Sequence, residues 1–343
     1  MPAYSAQALT SFATRLLTAA GAPADIAQEV AASLVETNVR GHDSHGVQQL
    51  MKYVGKIRDG TLIPSARPVV ESRRGAVATV DGHWGFGQVI ASYGADLAGE
   101  IALEQGVSVV ACQRINHIGR AGEYAERLAA KGLIGIVLAS GASAGGSVAP
   151  FGGRQRLFGT NPMAWAVPTS EGRAPLVLDF ATSGIAIGKV QLARDQGGVL
   201  PSGMLLTANG DPTTDPRAFD DGGILLPFGL HKGGGLALML EIIPTLLCGF
   251  APASSPNYHP GNPTLVMALD IDCFTERSVF VSEVDALLER VSATAPLAGV
   301  ERVLYPGEPE QLAASERRMT GIPVPERTWE QLVALADSLG VSP

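Results

Sequence analysis

The chain of 343 residues is 46% apolar and carries 33 acidic against 25 basic side chains, a formal charge of −8. Such a chain buries a large core, which excludes disorder, and with no local Lys/Arg run it offers no nucleic-acid-binding surface. No stretch approaches the roughly 20 apolar residues of a membrane helix, and the N-terminus lacks the basic segment and unbroken apolar run of a secretory signal, so a cytoplasmic protein is expected.

In chain order, Leu9, Phe12, Leu16 and Leu17 space as one amphipathic helix, and Ile26, Val30 and Leu34 as a second that Gly41 interrupts. Asp43 or Ser44 is placed to cap a third, striped by Val47, Leu50, Met51, Val54 and Ile57, with His45 in its first turn. From about residue 77 the pattern changes to short β-branched runs: "VATVDG", "GVSVVACQR", "GLIGIVLAS", "MAWAVPT", "PLVLDFAT" and "TLVMALDID" predict strands. Helical stretches at about 88–105, 119–131 and 234–248 alternate with them, the last carrying Pro244, which should kink or end it. From about 280 the pattern is helical again. The expected organisation is a helical domain from residues 1–75 and 280–343 around an α/β domain of 76–279, with loops at "ASGASAGGSVAPFGG" and "APASSPNYHPGNP". Cys112, Cys248 and Cys273 each fall in an apolar run and are expected to be buried, reduced thiols.

Five motifs carry possible chemistry, and each has a bland alternative. In "RGHDSHGV", His42 and His45 offer a zinc pair, yet no nearby third ligand completes it; one imidazole at a helix start would serve proton transfer, and a polar hinge explains the cluster about as well. "NHIGRAGEYAE" opens a helix whose amides and Arg120 could meet an anion, unless Arg120 pairs with Glu123 at the surface. "FGTNPMAWAVP" reads as a turn leading into a strand. "PLVLDFATSG" puts Asp179 at the end of a buried run, where it either orients a histidine or caps the following turn. "LHKGGGLALM" combines a cation, free amides and a helix start as in a phosphate cradle, or gives a close-packed start to a buried helix. The nearest dinucleotide fingerprint, "GFGQVI", has Ile90 where the third Gly belongs, so a Rossmann site is rejected.

Taken in order, "GHDSHGV", "NHIGRAGEYAE", "FGTNPMAWAVP", "PLVLDFATS", "NGDPTTDP" and "LPFGLHKGGGLAL" resemble the type 2 malate/L-lactate dehydrogenase family, the sulfolactate-dehydrogenase-like oxidoreductases. "HIGR" and "LYPGE" are most similar to its hydroxycarboxylate dehydrogenase B branch. The resemblance implies a non-Rossmann α/β fold with a central mixed sheet plus a helical domain, NAD or NADP as cofactor, a homodimer, and reversible reduction of a 2-oxo acid to a 2-hydroxy acid. It implies that His45 donates the proton, with Ser44 and Asp179 tuning or orienting it. It assigns Gly119, Arg120, Leu178, Asp179, Phe180, Ala181, Thr182, His231, Lys232, Pro306, Gly307 and Glu308, with His45, to the cofactor, and Gln49, His117, Thr160 and Asn161 to the substrate. No metal is implied.

Two departures qualify the substrate. Many members carry Arg four residues after the catalytic histidine, where this chain has Gln49; a neutral amide forgoes a charge-assisted pair worth ~1.5 to 3 kcal/mol. Malate and sulfolactate, with a second anionic group, are therefore weaker candidates than a monocarboxylate with a bulkier side chain. Gly234 stands where an aromatic commonly follows "HKG", which would widen the pocket or loosen the cofactor. The alternatives are an NADPH-dependent reductase of a cyclic imine carboxylate of the piperideine-2-carboxylate type and, from another class, a zinc-dependent hydrolase.

Overall fold

The computed structural model describes residues 2–141, 145–195 and 197–342; Ala142, Ser143 and Ala144 of the Gly/Ser-rich loop and Gln196 of "RDQGG" lie outside the described residues. After the short strand β1 (Ala3–Tyr4) come helices α1 (Ala6–Ala19), α2 (Ala24–Val39) and α3 (Gln49–Arg58). Ser5 caps α1 by accepting the Ala8 N–H at 3.1 Å, and Gly41, at φ 85°, follows the end of α2. The expected stripes of both helices are buried. The third helix starts later than its pattern suggests. Residues Asp43–His45 form a separate 3₁₀ turn, so His45 precedes α3 rather than occupying its first turn.

The chain then builds β2 (Val69–Arg74), β3 (Val77–Gly85), α4 (Gly87–Gln105), β4 (Val107–Ile115), α5 (Gly122–Ala129), β5 (Leu133–Ala139), β6 (Pro162–Val167) and β7 (Leu176–Ala181). Helix α6 (Ile187–Asp195), the two-residue strands β8 (Leu205–Leu206), β9 (Pro212–Thr213) and β10 (Ile224–Leu225), helix α7 (His231–Leu247) and strand β11 (Thr264–Asp270) follow. Seven strands share one sheet in the order β2-β3-β4-β11-β5-β6-β7. The β3–β4 pair, joined through α4, is parallel and the other pairs are antiparallel. This is the mixed α/β sheet expected. All six strands read from the sequence are in it, and β11 enters late to sit between β4 and β5, with Thr264 opposite both Cys112 and Ala139. Helices α4 and α5 cover the sheet through Ile90, Ala95, Ile101, Tyr124 and Leu128.

Three features depart from expectation. Strand β2 falls in the segment expected to be helical but pairs with β3 in the sheet; its residues are all exposed, so no apolar alternation announced it. Helix α7 continues three residues beyond Pro244 instead of ending there. Cys273 is exposed, while Cys112 and Cys248 are buried. The connections from β5 to β6 and from β7 to α7 share a small core of their own, in which Val148 and Phe158 of the first pack with Val190, Leu205 and Leu225 of the second.

The chain closes with α8 (Arg277–Ser292), α9 (Glu308–Thr320), β12 (Ile322–Pro323) and α10 (Glu326–Leu339). Strand β12 pairs with β1, and Ala314, Leu332 and Ala336 share one core with Leu9, Leu16, Val30 and Leu34. The two ends of the chain thus build one helical unit around a common apolar core.

Candidate active site

The 3₁₀ turn that carries His45 is clamped from two sides. Asn38, buried near the end of α2, accepts the Val47 N–H at 2.8 Å and donates to Asp43 at 2.7 Å. Arg317 of α9 grips the Asp43 carboxylate at 2.7 and 3.0 Å. Gly46 leaves the room this needs: a Cβ there would collide with the Asn38 amide. Burying the Asn38 amide with each group paired fixes the turn in one geometry.

His45 meets His117, which follows β4 in the loop to α5. His45 Nδ1 lies 3.1 Å from His117 Nε2, and the rings stack at 5.2 Å between centroids. His117 Nδ1 is in turn 2.7 Å from the Tyr53 hydroxyl on α3, which accepts a hydrogen bond from Gln88 Nε2 on α4 at 2.6 Å. Two histidines 72 residues apart in sequence thus meet directly, and side chains of α3 and α4 continue the series from His117. Burial is the largest influence on both rings. It lowers the pKa of His45 to about 4, assisted by His42 and Lys52, and holds His117 well below its ordinary value, assisted by His45, Lys52 and Lys56. His45, expected in the first turn of a helix, thus stands in a separate turn, and burial lowers its pKa.

The other expected partners of His45 are placed differently. Asp179 does not bond to it. Its carboxylate accepts the Gly122 N–H at 2.7 Å and lies 4.0 Å from Arg120. Arg120, only 4% exposed, bonds Glu126 at 2.9 Å rather than Glu123. Burial raises the pKa of Asp179, against the opposing pull of Arg120 and the Gly122 amide. Ser44 lies against α6, so that a Cβ at Gly188 would strike it, and its carbonyl accepts from Gln49 at 2.5 Å. Gln49 is buried and its amide nitrogen is committed to that bond. The side chain that His45 does meet is His117, which the resemblance assigns to substrate.

The stretches assigned to the cofactor follow strand β7 along its length. At one end a cavity of about 350 Å³ is lined by Arg120, Leu178, Asp179, Tyr305, Pro306 and Gly307, among others. Glu308 lies just beyond, paired with Arg302 at 3.0 Å. At the other end Thr182 donates through its amide and its hydroxyl to the Thr160 carbonyl, at 2.9 and 3.0 Å, and accepts the Phe228 N–H at 3.0 Å. The rings of Phe180 and Phe228 meet edge to face. This brings the segment leading to His231 and Lys232 alongside the strand end; both residues are exposed at the start of α7. Gly119 and Ala181 lie in the same two connected stretches. Gly234 owes its identity to packing, since a Cβ there would approach Phe151 Cβ to 2.8 Å. Phe151 occupies space that an aromatic at 234 would need.

Asn161 adopts φ 46° and is fully buried. Its amide nitrogen donates to Glu241 at 2.8 Å and to the Ala237 carbonyl at 3.1 Å. Glu241, itself 5% exposed, also accepts the Ala253 N–H at 2.8 Å. It escaped the sequence reading although a lone carboxylate in the apolar run "LALMLEIIP" demands partners. Among the described residues Asn161 Oδ1 and Ser183 Oγ are buried without a hydrogen-bond partner. The Arg120-lined cavity at one end of β7 and, at the other end, the anion-competent start of α7 with His231 and Lys232 suit the phosphate and hydroxyl groups of a bound dinucleotide. Among the described residues no cluster of three or more His, Cys, Asp or Glu side chains is placed to ligate a metal, so the zinc alternative has no ligand set there.

The fold therefore combines a mixed sheet, a helical unit drawn from both chain ends and a partly exposed imidazole pair. Residues 4–333 match the family model described as malate/L-lactate dehydrogenase, and the chain belongs to that family of oxidoreductases. It is 35% identical to hydroxycarboxylate dehydrogenase B of Escherichia coli strain K12 over 353 residues, covering 98% of this chain and 94% of that protein. The structure of malate dehydrogenase from Pyrococcus horikoshii OT3 is similar at a TM-score of 0.90 with 32% identity, over 99% of this chain and 96% of that one. Delta1-piperideine-2-carboxylate reductase from Pseudomonas syringae pvar. tomato follows at 0.86 with 30% identity, over 98% and 100%.

Proposed function

We propose that the chain reversibly reduces a 2-oxo acid to a 2-hydroxy acid with NAD or NADP, His45 handling the proton. The observation that supports this most is the His45–His117 pair at 3.1 Å, partly exposed and held by a clamped turn. The cofactor would be held by Gly119 and Arg120, by the β7 stretch from Leu178 to Thr182, by His231 and Lys232, and by Pro306, Gly307 and Glu308. When bound it supplies the hydride that reaches the carbonyl carbon. His45 gives a proton to the carbonyl oxygen and, in the opposite direction, takes it from the hydroxyl. Burial keeps His45 neutral in the free protein; an incoming carboxylate beside it favours the charged, proton-loaded ring. Thr160 and Asn161 shape the floor that Glu241 braces. Ser44 and Asp179 contribute position rather than a bond to the imidazole, Asp179 by holding Arg120 and the start of α5.

With Gln49 turned into the Ser44 carbonyl, no cation stands at that position for a second anionic group, which favours a monocarboxylate with a larger side chain over malate or sulfolactate. The similarity to a piperideine-2-carboxylate reductase supports a second reading, reduction of a cyclic imine carboxylate. Following absorbance loss of NADH and of NADPH against a panel of 2-oxo acids and one cyclic imine separates the two. Turnover of aryl- or alkyl-substituted 2-oxo acids above oxaloacetate is the expected result; activity confined to the imine selects the alternative, and activity with neither removes both.

We also propose a homodimer. Helix α7 is apolar on nearly every side, and Leu238, Met239, Ile242, Ile243, Leu246 and Leu247 remain between 37% and 59% exposed. A helix of that composition is ordinarily covered, here by a second copy of the chain. Light scattering should return twice the chain mass; a single-chain mass contradicts it. Among the described residues no helix is long and apolar enough to cross a membrane, and three free thiols fit a reducing cytoplasm.

A further inference from the structure

Gln88, Tyr53, His117 and His45 form one hydrogen-bonded series, with separations of 2.6, 2.7 and 3.1 Å. Gln88 is fully buried and Tyr53 nearly so, so water does not compete for the inner bonds. The chemistry of each group then fixes where the hydrogens lie. The Gln88 amide nitrogen only donates, so the phenol oxygen accepts from it. Among the described residues the phenol hydrogen finds one acceptor, His117 Nδ1. A neutral imidazole has one N–H; with Nδ1 accepting, the His117 hydrogen is on Nε2 and is donated to His45 Nδ1. Neutral His45 is left with its hydrogen on Nε2, the nitrogen turned away from His117.

We propose that Tyr53, held by Gln88, is a positioning residue that decides through His117 which ring nitrogen of His45 bears the proton. The consequence for catalysis rests on the oxo-acid reading given above; the tautomer itself does not. A second proton on His45 sets an Nδ1–H against the Nε2–H of His117, so loading His45 requires the series to reverse. His117 then carries its hydrogen on Nδ1, Tyr53 accepts it, and the phenol hydrogen turns to a Gln88 amide presenting its oxygen. Among the described residues Gln88 Oε1 is buried and has no hydrogen-bond partner, so it is the acceptor this reversal uses. The neutral and the proton-loaded states of His45 are the two directions of one series.

The test is the ¹⁵N spectrum of the histidine ring nitrogens in labelled protein. In the wild type at neutral pH, His45 should show a pyridine-type Nδ1 and a pyrrole-type Nε2. Tyr53→Phe keeps the aromatic ring against Phe86 and removes only the hydroxyl. In that variant the His45 signals should average between the two tautomers, and kcat should fall about tenfold with KM unchanged. Gln88→Glu, of the same shape, puts an acceptor where the wild type has a donor; the phenol then donates to residue 88 and accepts from His117 Nδ1, and the two His45 signals should exchange, Nδ1 becoming pyrrole-type. Wild-type shifts in either folded variant overturn the proposal. Averaged shifts in a protein that turns over no oxo acid leave this inference standing and remove the functional reading.

Discussion

Replacing His45 with Gln is expected to lower oxo-acid turnover by about 10²- to 10⁴-fold, the range that positioned proton transfer contributes, while the affinity for the nicotinamide cofactor falls far less. Gln keeps a polar side chain opposite His117 but cannot exchange a proton with substrate. Steady-state kinetics and a fluorescence titration of cofactor measure the two quantities separately. Equal loss of both would make His45 a binding group instead. The same variant carries a pH signature. The unfolded chain protonates His45 near the ordinary value of 6.5 and the folded chain only near about 4. Wild-type stability is therefore fully present above pH 6.5 and declines as pH falls toward 4, because the unfolded state binds the extra proton. His45→Gln should flatten that decline in urea denaturation, leaving the part due to His117.

Arg120→Met is expected to cost about 3 to 5 kcal/mol of stability, as when one partner of a buried ion pair is removed. Arg120 is 4% exposed and compensates Glu126 at 2.9 Å and Asp179 at 4.0 Å, with Glu123 nearby. Methionine fills much of the volume and supplies no charge. Arg40 still reaches Glu126 at 3.0 Å, so Asp179 bears most of the loss. The orphaned Asp179 carboxyl, already raised by burial, then has a folded pKa further above its unfolded one, and protonation relieves it. The deficit should accordingly shrink as pH is lowered from 7 toward 5. Chemical denaturation at the two pH values checks this; a loss under about 1 kcal/mol at pH 7 would put the pair among surface bridges.

Elements with a buried face were legible because periodicity reports burial. The stripe through Leu9, Phe12, Leu16 and Leu17, and runs such as "GLIGIVLAS" and "TLVMALDID", lie where they were expected. Strand β2 has no buried face, and the two-residue strands β8 to β10 are too short to show a period, so neither left a signal. In the site, His45 and His117 were each visible as residue types, but their contact depends on packing α3 against the loop after β4, which local pattern does not encode. Asp179 was read as needing a partner, a histidine or a helix start; its carboxylate accepts the Gly122 N–H at the start of α5 and lies 4.0 Å from Arg120. Tyr53, Gln88 and Glu241 went unnoticed although each is a polar group on a buried face, and a buried polar group is the one sequence signal that would have raised them. The family resemblance supplied roles that residue types alone left undecided between site and scaffold.

The most direct test of His45 as proton donor is a crystal structure with reduced nicotinamide cofactor and oxamate, an unreactive mimic of a 2-oxo acid. Nε2 of His45 should lie within about 2.6 to 3.2 Å of the oxygen that mimics the substrate carbonyl, with nicotinamide C4 facing the adjacent carbon. A nicotinamide ring seated elsewhere, or a His45 ring turned away from the inhibitor while His117 holds it, would contradict the account.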